Sequence, residues 1–528
     1  MPQDTGGPHK SRKRKVWKWL GISLLLSVVV LVIIAEIVLR HASPILKGRV
    51  IETLSTRFNS KVELDTLDVS LLHGLQVTGG GLRIYPPDDV IAAGAAQPLI
   101  AVQHFDFRAR IADLFIKPMH VSSVRVSGLD IHIPPKEYRQ QTAGRPKKYG
   151  GKIKITVGEI LCDDSELIIG TAKPGKDPKD FVLKHIVMRD VGSNAAWPYD
   201  ATLTNAIPRG NIPATGTFGP WNLESPGDSA VTGDYTFDHA DLGTIRGIGG
   251  ILSSTGKFTG QLDRIVVDGT TETPDFQLDS ANHPVPLKTR FHAIVDGITG
   301  DTALDPVAAT LGRSRFTCSG SVVNVKGKGH IIDLDIDIPA GQIQDFLNLA
   351  VKTQPPVMHA ALNMKAKLNI PPGKQSVTQK IGVRGHFLLT DIHFSSPNIE
   401  DKVDMLSLRA QGHPDQAHPG APDVHSQMHG TFDLHSGHIV FSDLKYALPG
   451  ATVQLAGQYT LDGKKFDFTG KVRTEAKLSQ MTATWWKSLL LKGVDPFFHK
   501  HGAGAEIPIK ISGTNTAPKF GLDLGNKK

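Results

Sequence analysis

The chain has little cysteine, few aromatic side chains and, outside its first forty residues, little net charge. Its 528 residues include two cysteines and 6% aromatic residues, which excludes a scaffold built on disulfides. Of the formal net charge of +8, +5 falls in residues 1–40, where seven lysines and arginines stand against two acids. The rest of the chain is close to neutral and lacks the strongly basic surface of nucleic-acid-binding proteins. We therefore expect no nucleic-acid partner.

Motifs for chemistry are also scarce. The sequence contains no HExxH and no GxSxG motif, and Cys162 and Cys318 belong to no CxxC or Cys/His pattern. Residues 250–257 (GILSSTGK) differ from a phosphate loop, because the glycine spacing is one residue too long and Phe258 follows the lysine. We predict that the protein is not an enzyme and has no catalytic residues and no cofactor. Two free thiols and one disulfide both remain open for the cysteines.

Two polar clusters carry metal-ligand residue types at unsuitable spacing. His425, His429 and His435 share one face of a predicted strand, but residues four apart on a strand are separated by roughly 13 Å, too far for one ion without a neighbouring strand. Asp333 and Asp337 belong to a run in which acids alternate with aliphatic residues, and no glycine or glutamate follows at calcium-loop spacing. We interpret both clusters as solvent-facing strand surfaces and predict no metal site.

The longest apolar run lies close to the N-terminus. Residues 20–39 contain one ionisable residue, Glu36, and at 1.5 Å per residue they span about 30 Å, the thickness of the hydrocarbon core of a bilayer. Trp17 and Trp19 stand at the basic end of this run, where interfacial aromatic residues are expected. Glu36 lies near enough to the other end for its carboxylate to reach the interface.

We predict a transmembrane helix at residues 19–40, with the preceding tail, 1–18, in the cytoplasm because lysine and arginine cluster on that side. The bulk of the chain then lies across the inner membrane, in the periplasm of a bacterium. A cleaved signal peptide is the competing interpretation. The run is longer than the apolar core of a signal peptide, and Pro44 interrupts the stretch in which cleavage would occur.

Beyond this segment the dominant pattern is alternation. Apolar residues recur at every fourth position between 46 and 58, which predicts one helix. From residue 61 onward apolar and polar residues alternate, most regularly at 358–370, and clusters of Pro, Gly, Asn and Asp separate the runs. Two further short helices are predicted at 340–351 and 478–491. The pattern indicates a mainly β chain of about twenty or more antiparallel strands.

Strict alternation gives each strand one apolar and one wet face. No second layer of helices is evident, so another sheet or an apolar ligand must cover the apolar face. Two arrangements remain open: β-sandwiches whose apolar faces cover each other, and a long curled sheet whose apolar face lines an open groove. In the groove, the candidate lining residues are Ile332, Leu334, Ile336, Ile338, Met358, Leu362, Met364, Leu368, Met428, Phe432 and Leu434.

Short motifs stand in a characteristic order at both ends of the chain. At the N-terminal end they are the basic tail, the apolar span, the helix at 44–58 and the segments 60–64 (SKVEL), 68–72 (DVSLL), 74–79 (GLQVTG) and 82–84 (LRI). At the C-terminal end they are Met481 and the segments 494–498 (VDPFF), 502–504 (GAG), 507–514 (IPIKISGT) and 517–520 (APKF). With these motifs the chain resembles the AsmA family of bacterial periplasmic proteins that are anchored in the inner membrane. The middle resembles the family in its alternation and in the short segments 273–276 (TPDF) and 295–297 (VDG).

The resemblance implies one transmembrane helix followed by an elongated antiparallel β-sheet curled into an open groove, with short helices at both ends. It also implies a part in phospholipid traffic and outer-membrane assembly and no catalytic or metal residues. We expect phospholipids, the inner membrane and outer-membrane or periplasmic assembly proteins as partners. A different class stays open, an assembly factor whose strand edges pair with outer-membrane β-barrel proteins. The expected regions are 1–18 (tail), 19–40 (membrane helix), 41–150 (N-terminal periplasmic region), 151–475 (β-groove body) and 476–528 (C-terminal region).

Overall fold

A computed structural model describes part of the chain. The described residues are 25–30, 33–34, 44–56, 60–70, 74–92, 94, 97–110, 112, 119–135, 155–170, 174–176, 179–192, 196–205, 207–220, 226–461, 465–482, 504–514 and 517–522. The chain divides into two compact units, unit 1 (residues 1–172, 178–203 and 215–225) and unit 2 (residues 173–177, 204–214 and 226–528). Each unit is described by itself. The region boundaries expected from the sequence stay predictions.

Unit 1 consists mainly of strands. Its described strands are β1 (Val62–Glu63), β2 (Thr66–Ser70), β3 (Leu75–Ile84), β4 (Ile100–Ala109), β5 (Met119–Ile133), β6 (Ile155–Ile169) and β7 (Lys179–Val191). A short helix, α1 (Asp88–Ala92), connects β3 to β4. Residues 44–56 are helical, which confirms the predicted helix for the residues described. Two further strands, β8 (Trp197–Asn205) and β9 (Gly210–Phe218), divide their residues between the units.

One strand pair in unit 1 departs from the predicted antiparallel order. β5 and β6 pair in parallel, with Val121 opposite Val157 and Val126 opposite Cys162. A parallel neighbour requires a connection that returns to the starting end of the first strand, and the segment 134–154 is long enough to do so. The expectation of a purely antiparallel sheet is therefore wrong at this pair.

The core of unit 1 lies on one face of β3–β7. Val102, Val126 and Cys162 are buried there and pack against partly buried neighbours such as Phe105 and Ile160. Cys162 and Cys318 are both free thiols. Burial raises the pKa of Cys162 to about 11, so this thiol stays protonated at neutral pH.

Unit 2 contains the remaining strands. They are β10 (Ala230–Asp241), β11 (Ile248–Gly249), β12 (Ile251–Gln261), β13 (Arg264–Thr273), β14 (Gln277–Leu278), β15 (Leu287–Val295), β16 (Thr302–Leu311), β17 (Ser314–Val325), β18 (Gly329–Gln342), β19 (Met358–Ile370), β20 (Gly382–Phe394), β21 (Gln427–His435), β22 (His438–Leu448), β23 (Ala451–Thr460), β24 (Phe466–Thr474), β25 (Ala505–Thr514) and β26 (Ala517–Leu522). The helices are α2 (Ile343–Ala350), α3 (Val377–Lys380) and α4 (Pro397–Ala410). Single-turn 3-10 helices lie at Pro226–Asp228, Leu242–Thr244, Pro414–Gln416 and Leu478–Met481.

The sheet of unit 2 is an antiparallel meander. Apart from β11 and β14, which pair only with each other, each strand from β12 to β26 pairs antiparallel with the strand before it. The sheet curls into a half-barrel, as a long twisted sheet must when it cannot remain flat. The prediction of a mainly β chain is confirmed.

Several predicted elements coincide with observed ones. The alternating run at 358–370 is β19, and the helix predicted at 340–351 is α2. Residues 250–257 lie mostly in β12 rather than in a phosphate loop. Of the helix predicted at 478–491, the described part is one 3-10 turn, and the remainder lies outside the described residues.

The predicted transmembrane helix at 19–40 falls largely outside the described residues, as do Trp17 and Trp19. Within it, residues 25–30 and 33–34 are helical and exposed. In the part of the chain that the structure describes, no helix combines the length and the hydropathy that a membrane crossing requires. The transmembrane helix stays a prediction.

Candidate functional site

The curled sheet of unit 2 brings apolar side chains into rows that cross many strands. Directly opposed residues of neighbouring strands point to the same side of a sheet. One row consists of Leu334, Leu368, Val383, Leu434, Ile439, Tyr459 and Phe466, on the seven consecutive strands β18–β24. All seven are partly exposed, and we call them the half-open row. We call the side on which they lie the apolar face and the opposite side the polar face.

The apolar face also contains a buried cluster. Its buried members, here called the covered cluster, are Ile338, Ala360, Leu362, Leu389, Ile392, Ala410, Tyr446, Leu448, Ala451, Val453 and Val472. Six of the eleven candidate lining residues belong to this cluster or pack against it, namely Ile336, Ile338, Met358, Leu362, Met364 and Met428. The other five, Ile332, Leu334, Leu368, Phe432 and Leu434, lie outside it and are partly exposed. Of the first six, Ile338 and Leu362 are buried, whereas Ile336, Met358, Met364 and Met428 are partly exposed like the other five. The structure therefore separates the candidates by whether they pack against the covered cluster.

Two helices cover the cluster, so the expectation that the apolar face has no helical layer is wrong for this part of it. α2 contributes Ile343 and Phe346, and α4 contributes Val403 and Leu406. α2 connects β18 to β19 and α4 connects β20 to β21, which places both helices at the same end of the antiparallel strands. The covered cluster lies at that end.

α4 was not predicted, although its sequence carries a signal. Pro397 occupies the first helical turn, directly after Ser396, and such a proline is typical of helix starts. Val403, Leu406 and Ala410 then follow at helical spacing. The polar residues between them obscured this short amphipathic pattern.

Four phenylalanines form an aromatic strip between the half-open row and the covered cluster. The ring centroids of Phe387 and Phe432 are 6.1 Å apart, those of Phe387 and Phe441 6.2 Å, and those of Phe441 and Phe468 6.0 Å. A Cβ atom placed on Gly457 would lie 2.7 Å from Cδ1 of Phe468. The Phe468 ring therefore packs against the backbone of β23 at Gly457, which has no side chain.

The electrostatic character of the two faces is sharply different. The half-open row and the aromatic strip contain no Asp, Glu, Lys, Arg or His. Cys318 lies in the row that includes Ile336, and burial raises the pKa of its thiol. The thiol is therefore neutral at neutral pH. This part of the apolar face offers dispersion and hydrophobic contacts and no ionised side chain, and the hydroxyl of Tyr459 is the polar group of the half-open row.

The polar face carries cross-strand ion pairs. Lys367 Nζ lies 3.0 Å from Asp335 Oδ1, and Lys365 Nζ lies 3.3 Å from Asp337 Oδ2. All four side chains are at least 46% exposed, so each pair contributes at most about 1 kcal/mol. The interpretation of the acids at 333–337 as a solvent-facing strand surface is confirmed for Asp335 and Asp337.

A depression of about 1020 Å³ lies on the polar face and crosses β16–β22. Its polar lining comprises Asp305, Thr317, Ser319, Asp335, Asp337, Lys365, Lys367, Arg384, His386, Thr431, Asp433, His435 and Ser442. Both lysines in it already pair with carboxylates of a neighbouring strand, and acids and bases are mixed throughout. The depression therefore has no concentrated charge for a ligand of one sign.

The histidines examined as metal ligands are solvent-facing, as predicted. His425, His429 and His435 are exposed, and Nδ1 of His425 lies 3.3 Å from Oδ1 of Asp391. Among the described residues, no group of three or more His, Cys, Asp or Glu side chains is placed to hold a metal ion.

Asp404 fixes α4 to the loop that follows it. Asp404 is 3% exposed, and its Oδ1 accepts a hydrogen bond from the backbone N–H of Val424 at 3.1 Å. Burial raises the pKa of Asp404, and nearby carboxylates, Glu400 first among them, raise it further. The charged form is thus disfavoured in the folded protein.

We expect Asp404→Asn to raise the unfolding temperature at about pH 8 and to leave it unchanged at about pH 4. The folded protein holds the proton of Asp404 more tightly than the unfolded chain does. The stabilisation that comes from this tighter binding of the proton is therefore greatest at pH values below the pKa of Asp404 in the unfolded chain. It is lost as the pH rises through the higher pKa that Asp404 has in the folded protein. Asparagine removes the charge and keeps an acceptor for Val424. Thermal unfolding followed by circular dichroism across this range measures the effect.

Asp404→Ala is the matched control for this prediction. Alanine also removes the charge but leaves the Val424 N–H without its acceptor, so we expect it to destabilise unit 2 at both pH values. A gain from Asp404→Asn that is the same at both ends of the range would contradict the pH dependence assigned to this carboxyl.

No family model, no curated protein and no solved structure matches the chain. The resemblance of its two ends to the AsmA family therefore rests on the short motifs alone.

Proposed function

We propose that this chain is an inner-membrane-anchored periplasmic protein that binds and shields phospholipid acyl chains along the apolar face of unit 2. In this role it supports lipid transport and outer-membrane biogenesis. The observation that carries the proposal is the half-open row, in which seven consecutive strands each present a partly exposed apolar side chain. An extended apolar surface of this kind on a protein is characteristic of a binding face.

The half-open row has dimensions suited to an acyl chain. Seven strands at a spacing of about 4.8 Å extend over ~29 Å, whereas one acyl chain accounts for half of a bilayer core, or about 15 Å. Each buried methylene contributes about 0.8 kcal/mol, so burial of six methylenes gains about 5 kcal/mol. This stabilisation requires no polar partner, and six of the seven side chains of the row have no hydrogen-bonding group.

The resemblance of the chain ends to the AsmA family supports the same function and supplies the topology. The proposed anchor is the segment 19–40, with Trp17 and Trp19 at the membrane interface. The described motif segments on the C-terminal side, such as 507–514, form β25 at the end of the meander. The proposed partners are phospholipids, the inner membrane and outer-membrane or periplasmic assembly proteins.

A second function is favoured by the last strand of unit 2. β26 pairs with β25, and among the described residues no strand pairs with its other edge. Leu522 at its end is 55% exposed. A free strand edge can accept a strand from another polypeptide, so an assembly factor for outer-membrane β-barrel proteins remains the alternative.

Paired acids on the apolar face test the lipid proposal. Leu434 and Ile439 oppose each other on β21 and β22, and we expect Leu434→Asp with Ile439→Asp to reduce lipid capture about tenfold, since two carboxylates would have to be desolvated by a bound acyl chain. Capture is measured in the full-length chain by a photoreactive residue at Leu368, followed by mass spectrometry of the adduct.

The control uses the same two strands and the other face. Thr431 opposes Asp443, so Thr431→Asp alone also creates two facing acids, and we expect it to leave capture unchanged. Equal capture by the wild type and the Leu434/Ile439 variant would show that the apolar face is not the lipid-binding surface. Adducts with polypeptides at β26, without lipid adducts at Leu368, would favour the assembly factor.

A further inference from the structure

The connection between β19 and β20, residues 371–381, contacts loops that are distant from it in the sheet. The backbone N–H of Val377 donates to the carbonyl of Arg246 at 2.8 Å, and Thr378 Oγ1 donates to Asp279 Oδ1 at 2.7 Å. Arg246 follows β10 and Asp279 follows β14. In the sheet, the four strands β15–β18 lie between β13, which precedes Asp279 in the chain, and β19, which precedes residues 371–381. We call residues 371–381 the strap.

The segments that the strap contacts lie on the apolar side of the sheet. Residues 242–250 and 274–286, here called the cover segments, pair through β11 and β14, with Ile248 opposite Leu278. β14 contacts α2, and α2 packs Phe346 against the covered cluster. The cover segments therefore adjoin the helix-covered part of the apolar face.

The strap starts beside the half-open row. Leu368 precedes it by three residues and Val383 follows it by two, and both belong to that row. α2 precedes β19 whereas the strap follows it, so the strap begins at the opposite end of β19 from α2. The strap nevertheless reaches cover segments that adjoin α2, at the other end of β19. The strap therefore folds back across the apolar face toward that end.

The strap is held mainly by hydrogen bonds. α3, its single helical turn, has no buried residue, and the third hydrogen bond to the cover segments runs from Arg246 Nη1 to the exposed carbonyl of Lys374 at 3.0 Å. Beside these bonds the backbone of Gly247 packs against the strap, since a Cβ placed on Gly247 would lie 2.6 Å from the backbone nitrogen of Val377. Gly373 has a φ of +132°, and a Cβ placed on it would meet nothing within 4 Å. A segment with exposed hydrogen bonds and little buried apolar surface opens locally far more easily than the paired strands beside it.

We propose that the strap is a gate that controls the entry of lipid between the half-open row and the cover segments. In this proposal the closed strap restricts access to the apolar face near Leu368 and Val383. Release of its three hydrogen bonds frees the edge of the cover segments and lengthens the accessible apolar surface. This inference rests on the proposed function and concerns the regulation of the same face.

A covalent lock tests the gate in the full-length chain. Asp279→Cys and Thr378→Cys, introduced with Cys162→Ala and Cys318→Ala, place two thiols where the side-chain hydrogen bond now lies, and oxidation or a short thiol-reactive cross-linker joins them. The probe is a vesicle of phosphatidylethanolamine and phosphatidylglycerol that carries a photoreactive acyl chain. We expect the locked protein to capture about tenfold less lipid than the same protein after reduction, since only the open fraction is competent to bind.

Two single variants give an independent reading. Thr378→Val removes the donor to Asp279 while keeping the shape of the side chain, so lipid capture should become faster. Thr378→Ser keeps the donor and is expected to behave as the wild type. Hydrogen exchange across β19 and β20 verifies that both variants retain the paired strands.

Equal capture by the locked and the reduced protein would overturn the gate while leaving the proposed function intact, as would equal rates for Thr378→Val and Thr378→Ser. Absence of capture by the cysteine-free parent, with the strap unmodified, would instead overturn the proposed function and the gate together.

Discussion

Leu362→Ala is expected to lower the local free energy of unfolding of unit 2 by about 3 kcal/mol. Leu362 is 3% exposed, lies opposite Leu389 and belongs to the covered cluster. The substitution loses the transfer free energy of the removed carbons and leaves a cavity that the surrounding sheet and helices fill only in part. Native-state hydrogen exchange of peptides from β19 and β20 measures this quantity without assuming that the two units unfold together.

The same substitution on the opposite face is the control. Leu388 lies on β20, adjacent in sequence to Leu389, and is 39% exposed. We expect Leu388→Ala to change the local free energy by no more than about 0.5 kcal/mol. Similar losses from the two substitutions would contradict the assignment of a closed cluster on one face only.

Asp345→Ala is expected to destabilise the attachment of α2 by about 3 kcal/mol, since hydrogen bonds to a charged group are worth about 1.5–3 kcal/mol each. Asp345 is 7% exposed, and its Oδ2 accepts from Ser314 Oγ at 2.7 Å and from the backbone N–H of Arg313 at 2.9 Å. Ser314 is fully buried, so without Asp345 its hydroxyl would have only the longer hydrogen bond to the carbonyl of Gln342, at 3.3 Å. Hydrogen exchange in α2 and in the turn at 312–313 reports the loss.

A carboxylate on the polar face provides the comparison. Asp337 pairs with Lys365 at 3.3 Å and is 46% exposed. Asp337→Ala is expected to cost at most about 1 kcal/mol, and added salt should reduce even that difference. An equal cost for Asp337 and Asp345 would indicate that the burial of the Asp345 site does not determine its contribution.

Local patterns in the sequence were sufficient to locate many strands. At β19, Ala360, Leu362 and Ala366 are buried while His359, Asn363 and Lys367 are exposed. This alternation of buried and exposed residues has the same period of two as the alternation of apolar and polar residues in the sequence. The two periods agree because successive side chains of a strand point to opposite faces of the sheet, one apolar and one solvated. Where the burial of residues follows this alternation, the sequence predicts the strand and the residues at which it begins and ends.

Which apolar side chains are covered by helices could not be predicted in the same way. Leu334 and Leu362 occupy equivalent positions in their alternating patterns, yet Leu334 is partly exposed and Leu362 is buried. The difference arises from the connections, because α2 and α4 pack at one end of the strands only. Likewise, the parallel partner of β5 depends on the path of the connection after residue 133, and strand alternation is the same for parallel and antiparallel neighbours.

The antiparallel meander of unit 2 has a consequence for the order of assembly. From β12 onward, each strand of the sheet finds its partner in the strand already present, so a chain that folds from its N-terminus can add one hairpin at a time. The bond from Thr378 to Asp279 joins residues 99 positions apart and can form only after β19 has joined the sheet. Closure of the strap is therefore a late event, and a nascent chain interrupted before residue 371 exposes its apolar face to aggregation with neighbouring chains.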